Sequence, residues 1–329
     1  MNPKPPSTTT PQQGDPRLLE IHRLVRIAQE LDRALAPRMA GPRGRPWLAD
    51  PRVEPAILGA LSHLGPQDAI FPNRRSLALA LLRGWALEDL TAAILERGPH
   101  ANPVPFGEAG VPELGLQPAA LVQPTRPLEA VGYALGANAD VVTAAVLGDA
   151  HLTEGPLNMA LAMASAHKAP LFFVALREEG GHPAFAPLGE GFGWINATVA
   201  GTDALAIVQA AEELTRRLRE ENRPALLEIL VSGDSPASAL GRALREAGVL
   251  DDDLDASILE AVRADVRAAI DAALALPARS KEVTEIFESC PKSDAPPNRS
   301  RDAWLRFGRE YGGSEDPDAS HLAFGGHGS

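Results

Sequence analysis

The chain has 329 residues, with 31 lysines and arginines against 43 aspartates and glutamates, a net charge of −12, and a composition 45% hydrophobic and 22% charged. This is enough apolar material for a large core, and the acidic balance, with no basic run to offset it locally, excludes a nucleic-acid or anionic-membrane surface. A single cysteine, Cys290, excludes an internal disulfide framework and any cysteine-based metal cluster.

Residues 1–16 are rich in Pro, Thr and Gln and contain no apolar signal core, so they are read as a disordered arm and the expected compartment is the cytoplasm. From Arg17 to Met39, Leu18, Ile21, Leu24, Val25, Ala28, Leu31 and Leu35 recur at helical spacing and predict an amphipathic helix. A second short helix is expected over Pro55–Leu64, and a single helix over Ser76–Arg97. A Gly/Pro-rich loop follows, then a helix from Pro127 to about Ala137.

The centre of the chain carries the clearest pattern. Asp140 to Leu147 is an apolar run of strand length that ends on Gly148-Asp149-Ala150. A helical pattern covers Pro156–His167, and a second apolar strand, Pro170–Leu176, stops at Arg177-Glu178-Glu179-Gly180-Gly181. Two apolar runs with one helix between them predict a right-handed βαβ unit of a parallel sheet. Ligands of such sheets bind outside the carboxyl ends of the strands, where both polar clusters fall. The longest apolar stretch, Leu157–Leu176, contains His167, Lys168 and Pro170 and divides into this helix and strand, so no membrane span is expected.

Further on, a strand is expected over Gly193–Val199 and a helix over Ala204–Glu220 with Asp203 as its N-cap. A buried strand over Pro224–Val231, a helix around Leu240–Ala247 and a long helix over Leu254–Leu276 complete the pattern. Asp251, Asp252 and Asp253 are read as capping charge for that last helix and not as a metal cluster. Residues 17–290 thus form one α/β domain with a mostly parallel sheet and helices on both faces, and residues 291–329 form a flexible polar tail.

The stretch from Gly148 to Gly181 resembles the α subunits of the thiamine-diphosphate-dependent 2-oxo acid dehydrogenases, the pyruvate and branched-chain types. In that family a Gly-Asp-Gly after a strand is followed by Glu-Gly, as Glu154-Gly155 are here, and about thirty residues later by Asn-Asn. Here the third glycine is Ala150 and the asparagine pair is Arg177-Glu178. Phe71-Pro72-Asn73-Arg74-Arg75, followed by Arg83-Gly84, is similar to the family's Phe-Pro-x-Tyr-Arg and its downstream Arg-Gly. Pro127 to Gly132 and the strand Pro224–Val231 also resemble family segments. The Ser232–Ser238 stretch lacks the family's histidine loop.

The resemblance implies a thiamine-diphosphate-binding fold, with thiamine diphosphate held through Mg²⁺ between this chain and a β-subunit-like partner in an αβ or α2β2 assembly. It places Asp149 and Glu178 as metal ligands and Arg74, Arg75, Gly148, Ala150 and Arg177 around the diphosphate. A glutamate can ligate Mg²⁺ but adds charge beside a diphosphate. Ala150 is expected to obstruct phosphate approach and to be penalised if its φ is positive. Arg177, placed in the loop after the second strand, is either compensating charge or a solvated group, and His182 beside it is read as solvated. His151 either faces the site or caps the strand-to-helix turn. Three functions stay open: an α-subunit-like partner with an eroded site, a working α subunit with a site rebuilt on Asp149, Glu178 and Arg75, and an unrelated nucleotide-binding α/β protein.

Overall fold

The computed structural model describes residues 15–39, 52–73, 77–95, 97–98, 111–117, 123–138, 140–180, 184–232 and 236–278. The N-terminal arm up to residue 14, the C-terminal tail, Arg74, Arg75, His182 and Cys290 lie outside the described residues.

Helices α1 (Pro16–Met39) and α2 (Glu54–Leu61) open the described chain. They are followed by strand β1 (Ala69–Phe71), helices α3 (Leu77–Leu82), α4 (Leu87–Ile94) and α5 (Arg126–Gly136), and strand β2 (Thr143–Gly148). Helix α6 (Gly155–His167), strand β3 (Leu171–Glu178), helix α7 (Phe185–Gly191) and strand β4 (Ile195–Ala200) come next. Helix α8 (Ala204–Glu221), strand β5 (Ala225–Val231) and helices α9 (Pro236–Glu246) and α10 (Asp252–Ala275) complete it.

All five strands pair in parallel, in the order β1-β2-β3-β5-β4. Because successive side chains of a strand point to opposite faces, one apolar run feeds two cores. Ala144, Val146, Phe172, Val174, Leu227 and Ile229 face the layer built by α1, α2, α8 and α10. Ala145, Leu147, Phe173, Ala175 and Leu226 face α5, α6 and α7. The expected α/β architecture, with helices on both faces, is therefore present.

The structure departs from the sequence reading at several boundaries. The expected helix over Ser76–Arg97 is two helices, since Gly84 takes φ +90° and turns the chain between α3 and α4. Arg83, at this break, donates to the carbonyls of Leu114 (2.7 Å), Gly65 (2.9 Å) and Asp68 (3.1 Å), so its guanidinium staples three segments. Strand β1 is three residues long, too short for alternation to reveal it. Helix α7 was hidden by its glycines and proline. Strand β3 runs two residues further than its apolar part and takes in Arg177 and Glu178, which the sequence placed in a loop.

Asp203 does cap α8, accepting from the Ala206 N–H at 2.9 Å, and Asp251 caps α10 through the Leu254 N–H at 2.7 Å. Two buried carboxylates hold the layers away from the carboxyl edge of the sheet. Asp68 accepts from the N–H groups of Val142 and Gly65, both at 2.9 Å, and so fixes the entry to β2. Asp255 on α10 meets His22 (3.0 Å) and Arg26 (3.0 Å) of α1 and Arg245 (2.7 Å) of α9. Among the described residues no helix is long and apolar enough to cross a membrane.

Candidate functional site

Strands β2 and β3 run in register from Thr143 opposite Leu171 to Gly148 opposite Leu176, so their carboxyl ends open on the same edge. Beyond Gly148 the chain takes one 3₁₀ turn, Asp149–Thr153, before α6 begins with Pro156 in its first turn. This compact turn sets Asp149 against the end of β3. The Glu178 N–H donates to Asp149 Oδ2 at 3.1 Å, joining two residues 29 apart in sequence. The other oxygen, Asp149 Oδ1, is buried and has no hydrogen-bond partner.

His151, buried at 2% exposure, turns its Nδ1 back onto Gly148, 3.0 Å from the carbonyl oxygen and 3.2 Å from the N–H. The histidine thus braces the strand-to-helix turn, the second of its two sequence readings. Gly148 is extended, and a Cβ built on it would meet nothing within 4 Å. Ala150 is exposed, and it is not among the described residues with positive φ. The backbone penalty expected for alanine at this position is therefore absent. Any obstruction it causes would come from its methyl group alone.

Arg177 and Glu178 point to opposite faces of β3. Glu178 is exposed at the carboxyl edge. Arg177 is neither in a loop nor solvated. Its Nε donates to Glu228 Oε1 at 2.6 Å, with the arginine side chain 16% exposed and the glutamate 1%. Glu228 also accepts from the Phe185 N–H (2.9 Å), the Ala186 N–H (3.4 Å) and the Thr198 hydroxyl (3.2 Å). A carboxylate with four donors is what makes so deep a burial tolerable. Glu228 was not singled out as a site residue, although a lone acid inside Ala-Leu-Leu-Glu-Ile-Leu-Val was a readable signal.

These residues can be tested against the two groups the resemblance implies. A buried carboxylate oxygen left unbonded costs roughly 1–3 kcal/mol and calls for an explanation. A divalent cation at Asp149 Oδ1 would supply one, so Asp149 fits the metal-ligand role that the resemblance implies, while the contact from Glu178 to Asp149 is made by its backbone N–H. The diphosphate fits less well. Arg177, expected to face it, has its guanidinium bonded to Glu228, and Arg74 and Arg75 lie outside the described residues, though they follow the carboxyl end of β1 in sequence.

Residues 52–232, more than half of the chain, match the dehydrogenase E1 component family. The chain is 28% identical over 200 residues to the 3-methyl-2-oxobutanoate dehydrogenase subunit alpha of Mycobacterium tuberculosis, covering 53% of this chain and 49% of that one. It is 24% identical over 265 residues to the 2-oxoisovalerate dehydrogenase subunit alpha of Bacillus subtilis, covering 67% and 79%. With the mitochondrial 2-oxoisovalerate dehydrogenase subunit alpha of Bos taurus it shares 22% identity over 238 residues, covering 67% and 52%. Apart from the Bacillus protein, these matches span about half the length of the relatives.

Proposed function

We propose, since the chain belongs to the dehydrogenase E1 component family, that it is an α-subunit-type member with an eroded cofactor site, acting as the partner of a β-type chain. The observation that carries this reading is the Arg177–Glu228 pair. Glu178 brings a negative charge to a position where the family has a neutral amide, and the arginine beside it already has its Nε bonded to a buried glutamate. Uncompensated negative charge next to a diphosphate weakens its binding. Two features of the sequence point the same way: Ala150 in place of the third glycine, and the lack of a histidine in Ser232–Ser238. A missing acid/base group costs roughly a hundred- to ten-thousand-fold in rate.

The partner reading has support in the outer surface. Helix α6 carries no Asp, Glu, Lys or Arg, and it exposes Met159 (58%) and Met163 (40%), while the neighbouring α5 exposes Tyr133 (39%). Exposed apolar residues grouped on an uncharged helix suit a protein contact better than water.

A second reading is favoured by one observation, the unbonded Asp149 Oδ1. In it the chain is a working α subunit, with Asp149 and Glu178 holding Mg²⁺ and Arg75 reaching the diphosphate. Thiamine diphosphate, when bound, would supply the nucleophilic carbon and the electron sink for decarboxylating a 2-oxo acid. The chain's own contribution would be to orient the cation through Asp149 and to keep the turn rigid through His151.

The two readings separate on thermal unfolding of the chain, alone and with a β-type partner, with and without thiamine diphosphate and Mg²⁺. A ligand at one hundred times its Kd stabilises by about 2.7 kcal/mol, several degrees for a domain of this size. The eroded reading expects no cofactor-dependent shift and a stable complex with the partner. A shift that requires thiamine diphosphate together with Mg²⁺ and disappears in Asp149→Ala would overturn it in favour of the working subunit; a shift with the metal alone would not.

A further inference from the structure

We infer that Glu228, acting through Arg177, is a positioning residue that holds the end of β3 against Asp149; the connection to a cation rests on the reading of Asp149 as a metal ligand. The end of β3 is held on both sides. Toward β2, the Glu178 N–H bonds Asp149 Oδ2 at 3.1 Å, and toward β5 the Glu179 N–H bonds the Val231 carbonyl at 3.0 Å. The rotation of the strand between these bonds is set by Arg177, whose Nε is held at 2.6 Å by a carboxylate that is itself 1% exposed.

That carboxylate is a rigid point. The backbone donors Phe185 and Ala186 and the hydroxyl of Thr198 bring α7 and β4 to it. Both ends of the segment between β3 and α7 are therefore tied to one buried group. Glu228 itself sits opposite Ala175, within the sheet, and reaches the β3 end only through Arg177. If the pair is broken, the Arg177 guanidinium is left in a largely buried place without its counter-charge and must turn toward solvent. The end of β3 then moves with it, and Asp149 loses the N–H that fixes one of its oxygens. Groups that orient a metal ligand in this way typically matter by about ten- to a hundred-fold in metal affinity.

The test uses the full chain as Glu228→Gln and Arg177→Met, read by amide hydrogen exchange at Glu178 and by Mn²⁺ binding. Glu228→Gln keeps the volume and removes the charge. Arg177→Met leaves Glu228 with its other three donors, so it reports on the β3 end even where the first variant folds poorly. The expected result is exchange at Glu178 faster by on the order of tenfold in both, and Mn²⁺ affinity about ten- to a hundred-fold weaker, with partial recovery in Arg177→Lys. Lower thermal stability with unchanged Glu178 exchange would mark the pair as a general brace and overturn the proposal, as would wild-type Mn²⁺ affinity in both variants. If the wild-type chain shows no Asp149-dependent Mn²⁺ binding, the metal-ligand reading fails, and Glu178 exchange alone then decides whether Glu228 positions the strand end.

Discussion

Replacing Asp255 by alanine tests how far the helical layer over the sheet depends on one charge. Asp255 is 8% exposed and is the meeting point of α1, α9 and α10, through His22 at 3.0 Å, Arg26 at 3.0 Å and Arg245 at 2.7 Å. Removing one partner of a fully buried ion pair costs roughly 3–5 kcal/mol. Here the Arg26 and Arg245 side chains are 33% and 41% exposed and can turn to water, so most of their share is recovered. His22, 5% exposed at its side chain, cannot, and its stranded ring nitrogen costs roughly 1–3 kcal/mol. A net loss of about 2–3 kcal/mol follows, or roughly 4–12 °C in Tm for a domain of this size.

Burial alone would push the Asp255 carboxyl up, but the His22 hydrogen bond and the Arg26 charge outweigh it and hold it below the usual carboxylate range. Its stabilisation is therefore present above the unfolded value and fades as pH falls through the folded one. Thermal unfolding at pH 7 of Asp255→Ala, His22→Phe and the double variant would measure this. A Tm within 1 °C of wild type for Asp255→Ala, or no coupling in the double variant, would refute the reasoning.

Burial, with the Arg219 and Arg17 charges nearby, pulls His63 down to about 3, and its Nε2 lies 2.8 Å from the Thr215 hydroxyl. With the folded value far below the unfolded one near 6.5, the unfolded state binds the extra proton, so stability falls as pH drops below about 6.5, by up to about 1.4 kcal/mol per pH unit. Urea unfolding of His63→Phe between pH 7 and 4.5 should show that slope reduced, and an unchanged slope would count against the assignment. At Gly84, where φ is +90° and a Cβ meets nothing within 4 Å, alanine should cost only the backbone strain, about 1–2 kcal/mol. At Gly115, where φ is +69° and a Cβ would lie 2.4 Å from the Asp68 carbonyl oxygen, alanine should cost distinctly more; equal Tm losses for the two variants would be the wrong result. Asp149→Ala should leave the Tm of the metal-free chain nearly unchanged, because losing the unbonded oxygen offsets losing the bond from the Glu178 N–H, and should abolish any shift produced by Mn²⁺.

The parallel sheet was legible because its central strands are buried on both faces and so read as nearly continuous apolar runs, as Val142–Leu147, interrupted only by Thr143, and Leu171–Leu176 do. The capping aspartates were legible because an acid before a helix has one common use, and Asp203 and Asp251 follow it. The 29-residue spacing corresponds in the structure to a bond from the Glu178 backbone N–H to the Asp149 carboxylate. The direction of Arg177 was not legible. Whether a side chain at a strand end turns to a ligand or to a neighbouring strand depends on the register of β5, which places Glu228 opposite Ala175 and within its reach. The same limit hid the Asp255 cluster, because its members come from residues 22 to 255 and meet only once three helices are packed.

The buried polar ties lie unevenly over the molecule. Asp68 is at the entry to β2 and Asp255 is among the outer helices, while the carboxyl edge of the sheet is crossed by the shorter chain of Asp149, Glu178, Arg177 and Glu228. Mutational drift at the exposed positions of that edge, Ala150 and Glu178, can therefore rewrite its chemistry without touching what keeps the protein folded. A lineage released from selection for turnover would keep its shape long after its reactive groups had changed.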